Sequence, residues 1–197
     1  MSARHAARAA GRGYTLIEVM AALGVLAIGA TGVVALQKAT LLSNINARNL
    51  ALANAIAMTW AERLRADALQ WNDPGGASDI ASTDWIALSA TQPYPARVTP
   101  TPIVGFGMPD ADLMGTDIYE GDPSQTAFCT HLRFRQFTDA AGMPLWPNLL
   151  RAEIRVVWER GGDPMDCATD PLDVDANPGR FGAVHLTTSV LRNTSQY

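Results

Sequence analysis

Residues Val19–Leu36 form a run of eighteen residues without a charged side chain. As a helix it rises about 27 Å at ~1.5 Å per residue, close to the thickness of a bilayer's hydrocarbon core. A chain with such a run must place it in lipid or against other apolar surfaces. At its threshold stands a carboxylate, Glu18. On insertion scales an acid at the centre of a spanning helix costs roughly 2.5–3.5 kcal/mol, and less near the end. An acid in this place is a functional candidate, and a positive charge on another chain is its expected partner.

The residues around Glu18 sharpen that reading. A leader with Arg4, Arg8 and Arg12 and no acid precedes the run, which favours a cytoplasmic N-terminus. Then come Gly13-Tyr14-Thr15-Leu16-Ile17-Glu18-Val19-Met20. This order resembles the class III signal of type IV prepilins and type II secretion pseudopilins. The resemblance implies that a membrane prepilin peptidase cuts after Gly13 and N-methylates the new terminus, Tyr14. It further implies that Glu18 neutralises the N-terminal ammonium of a neighbouring subunit during assembly. Tyr14 stands where Phe is commoner in the family and keeps its aromatic character. An ordinary secretory signal needs a small-x-small site after its apolar core, and Ala35-Leu36-Gln37 does not supply one. A plain signal anchor accounts for the apolar run but not for the order of residues before it.

Two further stretches resemble the PilV group of minor pilins, the type IV pilus modification proteins. One is Leu26-Ala27-Ile28-Gly29-Ala30-Thr31-Gly32-Val33-Val34-Ala35-Leu36-Gln37; the other is Glu62-Arg63-Leu64-Arg65-Ala66-Asp67, where Asp67 replaces the group's usual Asn. A strand ending Val156-Val157-Trp158 is similar too. The resemblance covers residues 11–69 well, is thin afterwards and is absent over 71–128. It implies a rare subunit that primes or modifies the pilus. The expected partners are prepilin peptidase, other minor pilins, the major pilin, the inner-membrane assembly machinery and the lipid bilayer. The expected location is the inner membrane, single-pass with a periplasmic head, then the pilus. A type II secretion minor pseudopilin and a tip adhesin or binding module are the alternatives.

The chain has 197 residues and a formal net charge of −4. Loss of residues 1–13 removes three positive charges and leaves 184 residues at −7, enough for a membrane helix and a head of ~120–130 residues. That balance argues against a general nucleic-acid binder, and none is expected as a partner. The two cysteines, Cys129 and Cys167, both follow the membrane segment. A periplasmic head favours a disulfide between them; two free buried thiols are the other reading.

The fold expected is α+β, pilin-like, with a long N-terminal helix packed on an antiparallel sheet of three or four strands. Residues 1–13 are the leader and 14–37 the transmembrane and assembly helix. Residues 38–70 continue it as an amphipathic helix, in which Ile45, Asn49, Leu52, Ile56, Trp60 and Leu64 form the stripe and alanines fill much of the surface between. Residues 71–128 are rich in proline and glycine and read as a variable loop region, with a short helix over Asp84–Ser89 capped by Thr83. Residues 129–197 hold strands at Cys129–Phe137, Leu150–Arg160 and Phe181–Leu191. In the second, Ala152, Ile154, Val156 and Trp158 alternate with Arg151, Glu153, Arg155 and Val157, predicting one buried face.

No nucleotide loop, serine-hydrolase elbow, zinc-protease motif or Cys-x-x-Cys occurs, so neither an enzyme nor a cofactor is expected. His131 and His185 fall in strands and read as sheet residues rather than metal ligands. Asp163, Asp166, Asp170, Asp173 and Asp175 crowd one loop; a calcium site is one reading and a solvated acidic loop the other. Arg133, Arg135, Arg151 and Arg155 make either a basic stripe or cross-strand pairs with Glu153 and Asp139.

Overall fold

The computed structural model describes residues 13–71, 80, 83–89, 107–119, 123–167 and 171–192. Two compact units divide the chain, Met1–Ile45 and Asn46–Tyr197. Helix α1 spans Leu16–Gln70, and no proline falls within it.

In the first unit every described residue is exposed. Leu16, Ile17, Val25, Ile28 and Leu36 present bare apolar side chains. The hydroxyls of Thr31 and Thr40 donate to the carbonyls of Ile28 and Leu36, at 2.8 and 2.9 Å. These bonds satisfy each hydroxyl inside the helix, the condition for tolerating it in an apolar medium.

In the second unit four strands form one antiparallel sheet in the order β1-β2-β3-β4. They are β1 (Asp110–Ala111), β2 (Phe128–Gln136), β3 (Leu149–Glu159) and β4 (Phe181–Leu191). The arrangement is α+β and pilin-like: a long N-terminal helix packed on a four-stranded antiparallel sheet. Strand β1 comes from inside the proline-rich stretch.

The helix buries Ile56, Trp60 and Leu64 as its periodicity predicts. The departures are at Ile45, which is exposed, and at the alanines. Ala53, Ala57, Ala61 and Ala68 are core rather than surface. Their small side chains allow close approach of helix to sheet, and Trp60 fills the space between, edge-on to Trp85 at 4.9 Å.

Strand β3 also departs from expectation, being buried on both faces from Ala152 to Trp158. Its even-numbered residues join the core under α1. On the other face Val157 packs with Cys129, Met165, Cys167, Val174 and Phe181 in a second cluster. The return from β3 to β4, including helix α2 (Pro171–Ala176), supplies part of that cover. Alternation in a sequence cannot reveal a lid that folds back from further along the chain.

Cys129 and Cys167 form a disulfide inside this second cluster, with Cα atoms 5.4 Å apart. It closes a loop of 38 residues, worth about 3–4 kcal/mol in the chain-entropy model. Replacing both cysteines by alanine should lower the unfolding free energy by about that amount, read from denaturant unfolding with the slope fitted for each chain, since the uncrosslinked unfolded state is less compact.

Candidate processing and assembly site

The site begins with three non-helical, exposed residues, Gly13, Tyr14 and Thr15. A Cβ built on Gly13 meets no atom within 4 Å, so the chain's own fold does not require glycine there. Tyr14 is largely exposed.

Thr15 fixes where the helix starts. Its carbonyl accepts from the N–H groups of Glu18 and Val19 at 3.1 and 3.2 Å, and its Oγ1 accepts from Glu18 N–H at 3.4 Å. Thr15 is therefore the N-cap, and Glu18 the third helical residue. Thr15-x-x-Glu18 is the capping-box pattern, a local signal carried by the sequence itself. Glu18 lies in the first turn, where the helix dipole favours a negative charge. The same acid thus suits the local helix start and remains exposed for an external partner.

The Glu62–Asp67 stretch turns out to organise the second unit. Arg63 forms a bidentate pair with Asp117, at 3.2 and 2.6 Å. Asp117 also accepts from Met108 N–H and Tyr119 O–H. Arg63 lies over the Trp60 ring and against Gly107, whose φ of 90° and lack of a side chain both suit glycine. One turn on, Asp67 is fully buried. Its Oδ1 accepts from Asp84 N–H at 2.8 Å, and its Oδ2 from Trp85 and Ile86 N–H at 2.9 and 3.0 Å. Asp67 thus caps a 3-10 turn at Ile86–Ser89 from across the core. The expected cap, Thr83, instead donates its hydroxyl to the Ile80 carbonyl at 2.6 Å. Burial raises the Asp67 pKa, against the pull of these three backbone bonds.

The four arginines of β2 and β3 form no continuous free stripe: Arg135 and Arg151 are exposed, while Arg133 and Arg155 are held by carboxylates. Arg133 pairs with Glu153, its register partner, and Arg151 reaches the same acid at 3.2 Å. Arg155 is fully buried; it donates to Asp175 of α2 at 2.6 Å and lies 3.0 Å from His131 Nδ1. A guanidinium can only donate, so Nδ1 accepts and the neutral ring carries its proton on Nε2. Asp139 makes no pair with an arginine among the described residues and turns to its own loop's backbone. Among the described residues no three His, Cys, Asp or Glu side chains group to hold a metal; Asp170 lies outside them, as do Arg4, Arg8 and Arg12.

Burial, aided by the Arg155 charge, lowers the His131 pKa to about 4. The unfolded ring titrates near 6.5, so between about 6.5 and 4 the unfolded chain binds more protons. Stability should fall as pH drops through that window, by about 3 kcal/mol in all from this group. Asp67, with its raised pKa, contributes with the opposite sign. The difference between the parent chain and His131→Gln in pH-dependent unfolding isolates the histidine, and the variant should show the flatter acid limb.

The sequence from residue 8 to residue 34 matches the prokaryotic N-terminal methylation motif. That match spans Gly13, Tyr14 and Glu18, and it supports a protein of the type IV pilin-like and pseudopilin class. The α1 helix is also long and apolar enough to cross a membrane. No curated protein and no solved structure matches the chain.

Proposed function

We propose that this chain is a PilV-like minor pilin that takes part in type IV pilus assembly and priming. The methylation motif over residues 8–34 carries the pilin-like class, and the narrower PilV-like reading rests on the resemblance of the Leu26–Gln37 and Glu62–Asp67 stretches. In it the scissile bond would be Gly13–Tyr14, Tyr14 the methylated terminus and Glu18 the assembly acid. Residues 1–13 are the leader, 14–37 the membrane and assembly segment, 38–70 the helix of the head, 71–128 the variable connection and 129–197 the remainder of the sheet. The partners are prepilin peptidase, then other minor pilins, the major pilin and the inner-membrane assembly machinery. The Leu26–Gln37 and Glu62–Asp67 stretches favour a pilus over a secretion pseudopilus, and the role is structural rather than enzymatic.

The test is intact mass with N-terminal sequencing after co-expression with a prepilin peptidase. A chain beginning at Tyr14 and carrying one added methyl group is expected. An uncut chain, or one cut beyond Leu36, would overturn the reading. Gly13→Leu should remain uncut while the head keeps the parent's unfolding midpoint, because a Cβ at that position meets no atom of the described residues within 4 Å.

A further inference from the structure

The turn between β2 and β3 is built to hold apolar side chains in water. Phe137, Met143, Leu145 and Trp146 are 37%, 65%, 54% and 57% exposed, all within one hairpin tip. Clusters of this kind on a soluble surface mark a contact site. The tip is also tightly bonded. Leu145 N–H donates to the Phe137 carbonyl at 2.7 Å, Asp139 N–H to the Met143 carbonyl at 2.9 Å and Gly142 N–H to the Asp139 carbonyl at 3.0 Å. Asp139 Oδ1 accepts from Ala141 and Met143 N–H at 2.9 and 2.8 Å. Gly142 has a φ of 80°, which only glycine adopts at no steric cost. Phe137 meets Trp146 edge-on, with ring centres 5.8 Å apart. The display is pre-organised, so binding through it loses little conformational entropy.

Behind the tip stand two cations. Arg135 and Arg151 are register partners on β2 and β3, and both are exposed. Arg135 makes no ion pair among the described residues, while Arg151 shares Glu153 with Arg133. Arg135 precedes Phe137 by two residues, about 7 Å along an extended strand. We propose that this hairpin tip docks on the interface of an anionic lipid membrane. Phe137, Met143, Leu145 and Trp146 would enter the acyl boundary while Arg135 and Arg151 meet headgroup phosphates. The spacing fits, since interfacial elements bury their apolar part ~5–10 Å deep, with basic residues at the headgroup level. Four apolar side chains on one hairpin fall well short of the ~800 Å² per partner of a stable protein interface, which favours lipid over a protein groove. The inference does not depend on the pilus reading.

The chain's tryptophans make a clean experiment. Of Trp60, Trp71, Trp85, Trp146 and Trp158, all but Trp146 are at most 5% exposed. The full chain is held in lipid nanodiscs, which satisfy α1, and vesicles containing phosphatidylglycerol are added. Brominated lipid is placed in either the discs or the vesicles. Quenching of Trp146 fluorescence from one of the two is expected, weakened by salt and by Arg135→Gln with Arg151→Gln. Leu145→Ser should lower partitioning by about tenfold, with the circular dichroism spectrum unchanged. Absence of quenching from both membranes would overturn the assignment. So would tip-dependent binding to a second pilin-type subunit without quenching, which would make the hairpin a protein contact.

Discussion

Asp67→Ala should lower the stability of the second unit by about 3–5 kcal/mol, since it strips acceptors from three backbone N–H groups. Those groups belong to Asp84, Trp85 and Ile86. The local setting makes the acid costly: it lies in the last two turns of α1, where the helix dipole disfavours negative charge, and it has no exposure to water. Only the N–H groups opening the 3-10 turn compensate. Loss of the carboxylate should also free Trp85 from its edge contact with Trp60. Asp67→Asn is the informative companion. Asparagine keeps one acceptor oxygen but turns an amide N–H₂ toward backbone donors, so an intermediate loss is expected. Denaturant unfolding gives the magnitude, and amide exchange at 84–86 gives the location. An alanine variant within about 1 kcal/mol of the parent would refute the capping role.

Glu18→Ala should be processed normally but enter filaments poorly, by about two orders of magnitude if an unpaired ammonium in lipid costs ~2.5–3.5 kcal/mol. This follows from the proposed assembly role of Glu18. The capping geometry introduces a complication that a second substitution resolves. Alanine at 18 removes both the charge and the acidic side chain of the capping-box pattern, while the backbone bond from residue 18 N–H to Thr15 Oγ1 stays. Glu18→Gln keeps a side chain suited to the box and removes only the charge. If assembly needs ion pairing, the glutamine subunit should fail as the alanine one does. If glutamine restores incorporation, the carboxylate serves the helix start and the charge-pairing role is wrong. The readout is the subunit's share of sheared pili against the parent, with cleavage checked by mass.

Much of this was legible because it depends on local order in the sequence. The apolar run, the Gly-Tyr-Thr-Leu-Ile-Glu order, the amphipathic stripe and the three long strands each declare themselves within a dozen residues. What stayed hidden depends on contacts across long separations. Asp67 caps Ile86–Ser89 across 19 residues, and nothing near Asp67 announces it. Arg63 and Asp67, four residues apart on α1, both bind loops that fold onto the helix. Burial of Arg155 depends on Asp175 arriving on α2, twenty residues further along the chain, so the alternation within β3 predicts only one covered face. The helix start at Thr15 is local, by contrast, and its three-residue spacing to Glu18 is legible in the sequence.

The disulfide has a mechanical consequence for a protein subjected to pulling. Cys129 lies near the start of β2 and Cys167 beyond the end of β3, so the bond encloses nearly the whole β2–β3 hairpin. If tension were applied through the two ends of the chain, the 38-residue separation could not be drawn out. At ~3.4 Å per residue that withholds roughly 130 Å of extension. β4 would peel from β3 while the enclosed hairpin stayed short, and the chain would have only the remaining contour to yield before a covalent bond bore the load.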